Sequence, residues 1–135
     1  MAKLHIIKLI QKDQDIMEAL YQYMVGKAWK GACIVAGAGS VYDVTVHNPI
    51  TNTPPTTLLP VTVNVPCEVM NFTGEIIRKK DTPASLSRHI EDDPSDYMIH
   101  LHISVSHGSG VVTGGGLEKA KVFRALNVYA LEFDE

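Results

Sequence analysis

Two histidines one residue apart, His100 and His102, stand in the apolar run Tyr97 to Val105. In an extended strand alternate side chains share a face. Both imidazoles are then expected side by side, with Ile99, Leu101 and Ile103 turned the other way. Two neutral imidazoles so placed can clamp a transition metal, zinc or another divalent ion, if a third ligand comes from elsewhere. His47 and His107 are candidates for that third position, as is a histidine from a neighbouring subunit. The plain alternative is a pair of imidazoles hydrogen-bonded inside a core or an interface. Just downstream, Gly114, Gly115 and Gly116 sit in a strand-like region, where three glycines mean a close backbone approach that a Cβ would forbid.

Other chemistry is thinner. Glu68 is a lone carboxylate in an apolar strand, which must pair with a cation or face a pocket. Arg124 and Lys30 are its candidate partners. Gly37 to Ser40 could cradle an anion with successive N–H groups, or be a tight turn between strands. No Gly-Lys-Ser/Thr follows it, and Ser40 lacks the surroundings of a nucleophile elbow. No paired acid and base carboxylates, Ser/His/Asp order or Cys/His arrangement marks a catalytic residue.

These residues need strands to position them. Lys3 to Ile10 reads as a first strand, followed by a helix capped by Asp13 and stopped near Gly26. Ile16, Leu20 and Tyr23, with Met17 and Met24 beside them, form its apolar face. Strands follow over Gly31 to Ala36, Val41 to His47, Leu58 to Val65 and Cys67 to Ile77. Pro60 suggests an edge or a strand entry for the third of these. Asn48 to Thr57 is a stiff proline- and threonine-rich loop. Arg78 to Asp96 reads as an exposed polar loop with a short helix at Pro83 to His89. After the histidine strand and the His107 to Gly110 turn, Lys119 to Lys121 reads as a polar connection into a closing strand, Val122 to Phe133. The class is α+β: a mostly antiparallel sheet with one main helix, short helices and a single compact domain over residues 1–135.

Composition narrows the function. The chain has 135 residues, enough for one domain with a real core, and is 45% hydrophobic and 20% charged. Twelve Lys and Arg against fifteen Asp and Glu leave a formal charge of −3, which opposes a strong grip on nucleic acid. The basic run Arg78-Lys79-Lys80 lacks neighbouring aromatics and reads as a solvated strand end. Cys33 and Cys67 read as small buried hydrophobes, not a disulfide framework. No segment is long enough to span a bilayer, and the amino-terminal stretch lacks a signal-peptide pattern, so the expected location is the cytoplasm, with no membrane partner.

The histidine stretch resembles the signature of the PPC domain, the plants and prokaryotes conserved domain. Prokaryotic members read HLHxSLxDxDGxVxGGHL, and His100, Leu101, His102, Ser104, Gly110, Val112, Gly114, Gly115 and Leu117 fall on it without a gap. Lys30 to Val41 and Val44 to Val46 resemble the family's GxCVLSGxGSVxxVTL, and Glu68 to Gly74 resembles FEILSLSG. The resemblance implies a mixed α/β PPC fold and a homotrimer. It implies a self-associating module of the type labelled DNA-binding by kinship with plant members. A metal- or ligand-binding enzyme at a subunit interface around His100 and His102 is the second possibility. Glu68 and Gly114 to Gly116 are the partner- or ligand-binding positions it suggests. Two departures matter. Gly116 stands where many relatives have a third histidine, and Pro66-Cys67 stand where plant members read Arg-Phe before the glutamate. The Arg-Gly-Arg-Pro core of an AT-hook, which plant members carry to enter the minor groove, is absent from this chain.

Overall fold

In the computed structural model residues 3–82 and 96–133 are described. Six strands and one helix follow the order β1 (Leu4–Leu9), α1 (Ile16–Lys27), β2 (Gly31–Pro49), β3 (Leu58–Val63), β4 (Cys67–Arg78), β5 (Tyr97–His107) and β6 (Val111–Phe133), with a 3₁₀ turn at Lys79–Asp81. The short helix expected at Pro83 to His89 lies outside the described residues. Every strand pairing is antiparallel. The sheet order is β1-β6-β5-β4-β2-β3, and a further β6–β2 ladder closes the circuit β2-β4-β5-β6. β3 is an edge strand, as Pro60 suggested: its missing N–H interrupts no second ladder. No helix among the described residues is long and apolar enough to cross a membrane.

Alternation decides which side chains enter the core. Leu101, Ile103 and Val105 of β5 are buried, as are Ile34 of β2, Phe72 and Ile76 of β4, and Leu126, Val128 and Ala130 of β6. The helix lays Ile16, Leu20 and Met24 on them at a spacing of four, one apolar stripe facing the sheet.

Several local expectations are corrected. The helix cap is Asp15, whose Oδ1 accepts the Glu18 N–H at 2.9 Å. Asp13 instead adopts φ 70° and accepts a hydrogen bond from the Tyr42 hydroxyl, which ties the β1–α1 connection to β2. Gly26 lies inside the helix, and Ala28 provides the left-handed stop, its N–H reaching Val25 O. Gly37 to Ser40 is not a turn. β2 runs through it, with register shifts on either side. The glycines serve close approach there: a Cβ on Gly39, at φ 146°, would meet Ala125 O at 2.0 Å, and one on Gly37 would meet the Phe72 Cβ at 2.8 Å. Lys119 to Lys121 is likewise not a connection. β6 continues from Val111, and its lysines pair with Thr45 and Tyr42. Cys67 is buried, but Cys33 is exposed, because its strand neighbours Ala32 and Ile34 take the inward positions.

Candidate functional site

β5 is a strand with both imidazoles on its outer face. Their ring centroids are 5.1 Å apart, edge to face at 79°. His100 is half-buried and His102 exposed, while Leu101 and Ile103 between and beyond them point into the core. Directly opposed residues of an antiparallel pair share a face. Opposite His102 lie Thr73 on β4 and Gly116 on β6, and opposite Gly116 lies His47 on β2. Glu75 stands opposite His100.

The glycines make this row concave. With no side chain at Gly114 or Gly116, the backbone of β6 forms the floor of a hollow of about 500 Å³. His47, His100, His102, Asn71 and Ser104 are among its walls. A Cβ on Gly116 would sit 3.1 Å from His47 Nε2, so the His47 ring lies over the floor that Gly116 leaves bare. Gly115, at φ 156°, would put a Cβ 2.6 Å from Asn48 Nδ2 and 2.9 Å from His47 O. The Asn48 amide uses that space to donate to Gly114 O at 2.9 Å, clamping the glycine run to the end of β2.

Burial lowers the His100 pKa, since a desolvated imidazolium is disfavoured. Nearby His102 lowers it further, Glu75 pulls it back up and His47 again lowers it. Three imidazoles and one carboxylate therefore share one electrostatic neighbourhood, in which His100 is biased toward the neutral, metal-ligating form.

His47, one of the two histidines named for the third position, lines the same hollow as the pair. His107 does not: its Nε2 is hydrogen-bonded to Thr113 Oγ1 at 3.1 Å, and it lines a different hollow. Zinc in a catalytic site takes three protein donors. Two imidazoles fit that chemistry, yet among the described residues no three His, Cys, Asp or Glu side chains form a group that could hold a metal ion as they stand. Asn48 and Asn71 were not found from the sequence. The alternation of Asn71 with core Phe72 carried a signal for the second, and nothing local marked the first.

Glu68 lies away from the histidines, opposite Ser40 on β2 and Ser106 on β5. Arg124 lines the same hollow of about 310 Å³, together with His107 and buried Cys67. Burial pushes the Cys67 thiol pKa up, and its Sγ donates to Val65 O at 3.2 Å. Lys30 adjoins Gly31, at the opposite end of the β2–β4 ladder from the Ser40–Glu68 pair, so it does not serve Glu68.

A family model described as the Plants and Prokaryotes Conserved (PCC) domain matches residues 2–134. No curated protein matches the chain. Similar solved structures include a plant- and prokaryote-conserved (PPC) protein from Pyrococcus horikoshii, 14% identical with a TM-score of 0.73, covering 100% of this chain and 83% of that one. A metal-containing protein from Archaeoglobus fulgidus is 18% identical with a TM-score of 0.73, covering 96% and 79%. A candidate DNA-binding protein from Bacteroides thetaiotaomicron is 20% identical with a TM-score of 0.75, covering 100% and 85%. At these identities the likeness concerns the fold.

Proposed function

This chain belongs to the Plants and Prokaryotes Conserved domain family, and from that premise we propose that it works as a self-associating module, with three copies the assembly implied by the sequence resemblance. The observation that carries the reading is an apolar outer face on the sheet. Leu4, Leu131, Cys33, Glu75 and His100 are opposed in turn across β1, β6, β2, β4 and β5, so one continuous row runs from the edge strand to the histidines. Beside it Ile6 is 49% and Val35 40% exposed, and Leu4 itself is 51% exposed. Half-buried Tyr129 lies opposite Ile6, and half-buried Phe133 covers Gly31. Scattered exposed apolar residues need no partner, but a contiguous patch marks an interaction surface. A standard interface takes about 800 Å² from each partner, about a tenth of the 7815 Å² this subunit exposes.

Ile6→Asp and Val35→Asp test this reading. Each puts a charge into the face and leaves the core untouched. The expected outcome by light scattering on a sizing column is a smaller particle with an unchanged circular-dichroism spectrum. A mass identical to the wild type in both variants would remove the face from the account.

The relatives described as candidate DNA-binding proteins raise duplex DNA as a partner. A charge of −3 and the lack of an AT-hook core argue against direct, strongly salt-dependent binding by this chain alone.

One observation favours a second reading, a small metal- or ligand-binding enzyme at His100 and His102. The His47 ring occupies the space above Gly116, in the same cross-strand row as His102, and thus supplies an imidazole near the place the family motif gives to a histidine. His100, His102 and a reoriented His47 would hold a divalent transition metal such as zinc, which would act there as a Lewis acid. Equilibrium dialysis against zinc tests it. The reading expects one ion per chain, lost in His102→Ala and weakened in His47→Ala. Background zinc in the wild type, unchanged in both variants, would refute it.

A further inference from the structure

We propose that the hollow around Glu68 and Arg124 is a binding site for a small zwitterion of α-amino-acid size. It shares no lining residue with the histidine hollow and does not depend on self-association.

Its negative wall is a row of three side chains. Ser40, Glu68 and Ser106 are directly opposed on β2, β4 and β5, so two hydroxyls flank one carboxylate on a single face. Ser40 is only 6% exposed, and its Oγ accepts the Arg124 N–H at 3.2 Å. That bond uses an acceptor lone pair and leaves the hydroxyl proton to donate.

Its positive wall is Arg124. The guanidinium lies 5.7 Å from the Phe123 ring centroid, within cation–π range. No ion pair joins Arg124 to Glu68, although both line the hollow. His107, fixed by Thr113, adds a ring at the rim. Glu68 and Arg124 thus both line one concave space of about 310 Å³ without forming an ion pair with each other.

The ligand class follows from that charge layout. An ammonium meets Glu68, a carboxylate meets Arg124, and both contacts are charge-assisted hydrogen bonds, the stronger kind. A singly charged ligand satisfies one wall and leaves the other facing its neutral end. The volume lies at the lower limit of ligand pockets, about 300 to 1,000 Å³, which is ample for a small amino acid.

Glycine, L-alanine and L-serine are the probes, titrated into the full chain and followed by amide chemical shifts in NMR. Alaninamide, which keeps only the ammonium, and N-acetyl-alanine, which keeps only the carboxylate, are the controls. Glu68 and Arg124 are both exposed, so Glu68→Gln and Arg124→Met leave the core intact. The expected result is saturable movement of the Glu68, Ser106 and Arg124 amides by at least one amino acid. Affinity should be about tenfold or more weaker for each control and in each variant, the effect of losing one charge-assisted contact. Any of three results overturns the proposal. One is no saturation with all three amino acids at tens of millimolar. Another is a control that binds as tightly as alanine. The last is binding unchanged in both variants.

Discussion

Replacing Gly115 by alanine should cost far more than replacing Gly116, although the two are adjacent on the floor of the same hollow. Gly115 adopts φ 156°, and an added Cβ would lie 2.6 Å from Asn48 Nδ2 and 2.9 Å from the His47 carbonyl oxygen. A backbone in that region costs a non-glycine residue on the order of 1 to 3 kcal/mol. Displacing the Asn48 amide also breaks its bond to Gly114 O, worth about 0.5 to 1.5 kcal/mol. The His47 carbonyl belongs to the β2–β6 ladder and cannot swing away. The combined cost is therefore about 2 to 4 kcal/mol. At Gly116 the nearest atom is His47 Nε2, 3.1 Å from the added Cβ, at the far end of a side chain that can turn. The cost there should stay below about 1 kcal/mol. Urea unfolding followed by circular dichroism reads both, and with a slope of roughly 1 to 3 kcal/mol per molar the Gly115→Ala midpoint falls by about 0.7 M or more. Equal midpoints for the two variants would refute the reasoning that fixed backbone resists a Cβ at Gly115 while only a movable ring meets one at Gly116.

Further expectations concern titration. The folded His100 pKa lies below its ordinary 6.5, so the unfolded chain takes up that proton first and stability rises with pH. Stability should fall as pH drops through about 6.5 toward the lower folded value, and the His100→Gln variant should show a shallower slope in urea unfolding at a series of pH values. An unchanged slope would place the effect on other groups. The Tyr42 phenol, held chiefly by its hydrogen bond to Asp13, ionises at about 12 against an ordinary 10.0. Asp13→Asn should bring one tyrosine back toward 10.0 in an absorbance titration near the phenolate band; no movement would show that the contact does not persist.

How much of this was legible in the sequence depends on which face a residue serves. The histidine strand was legible because Leu101, Ile103 and Val105 repeat at the strand period, which fixes the opposite orientation of His100 and His102. Proline at position 60 gave away the edge. Where glycine serves packing and not a turn, local reading failed. Gly37 and Gly39 look like punctuation, but their role is set by Phe72 and Ala125, far along the chain. Asp13 and Asp15 are equally good caps locally, and Tyr42 on β2 decides between them. Cys33 was misplaced because β2 has an outer apolar face as well as an inner one, so its run reads as wholly buried. For the same reason the row from Leu4 to His100 was invisible: it exists only once the registers of four ladders are known. Of the site, the two histidines and the glycines were readable, while the position of His47 above Gly116 emerged only from the β2–β6 pairing.

Sedimentation equilibrium of the unmodified protein over a wide concentration range tests the central claim most directly. A self-associating module with a buried outer face should give the mass of three 14.8 kDa subunits, or another fixed multiple, down to low concentration. A single species of 14.8 kDa at every concentration would mean that Leu4, Ile6 and Val35 face solvent in the working protein, and the account would fail.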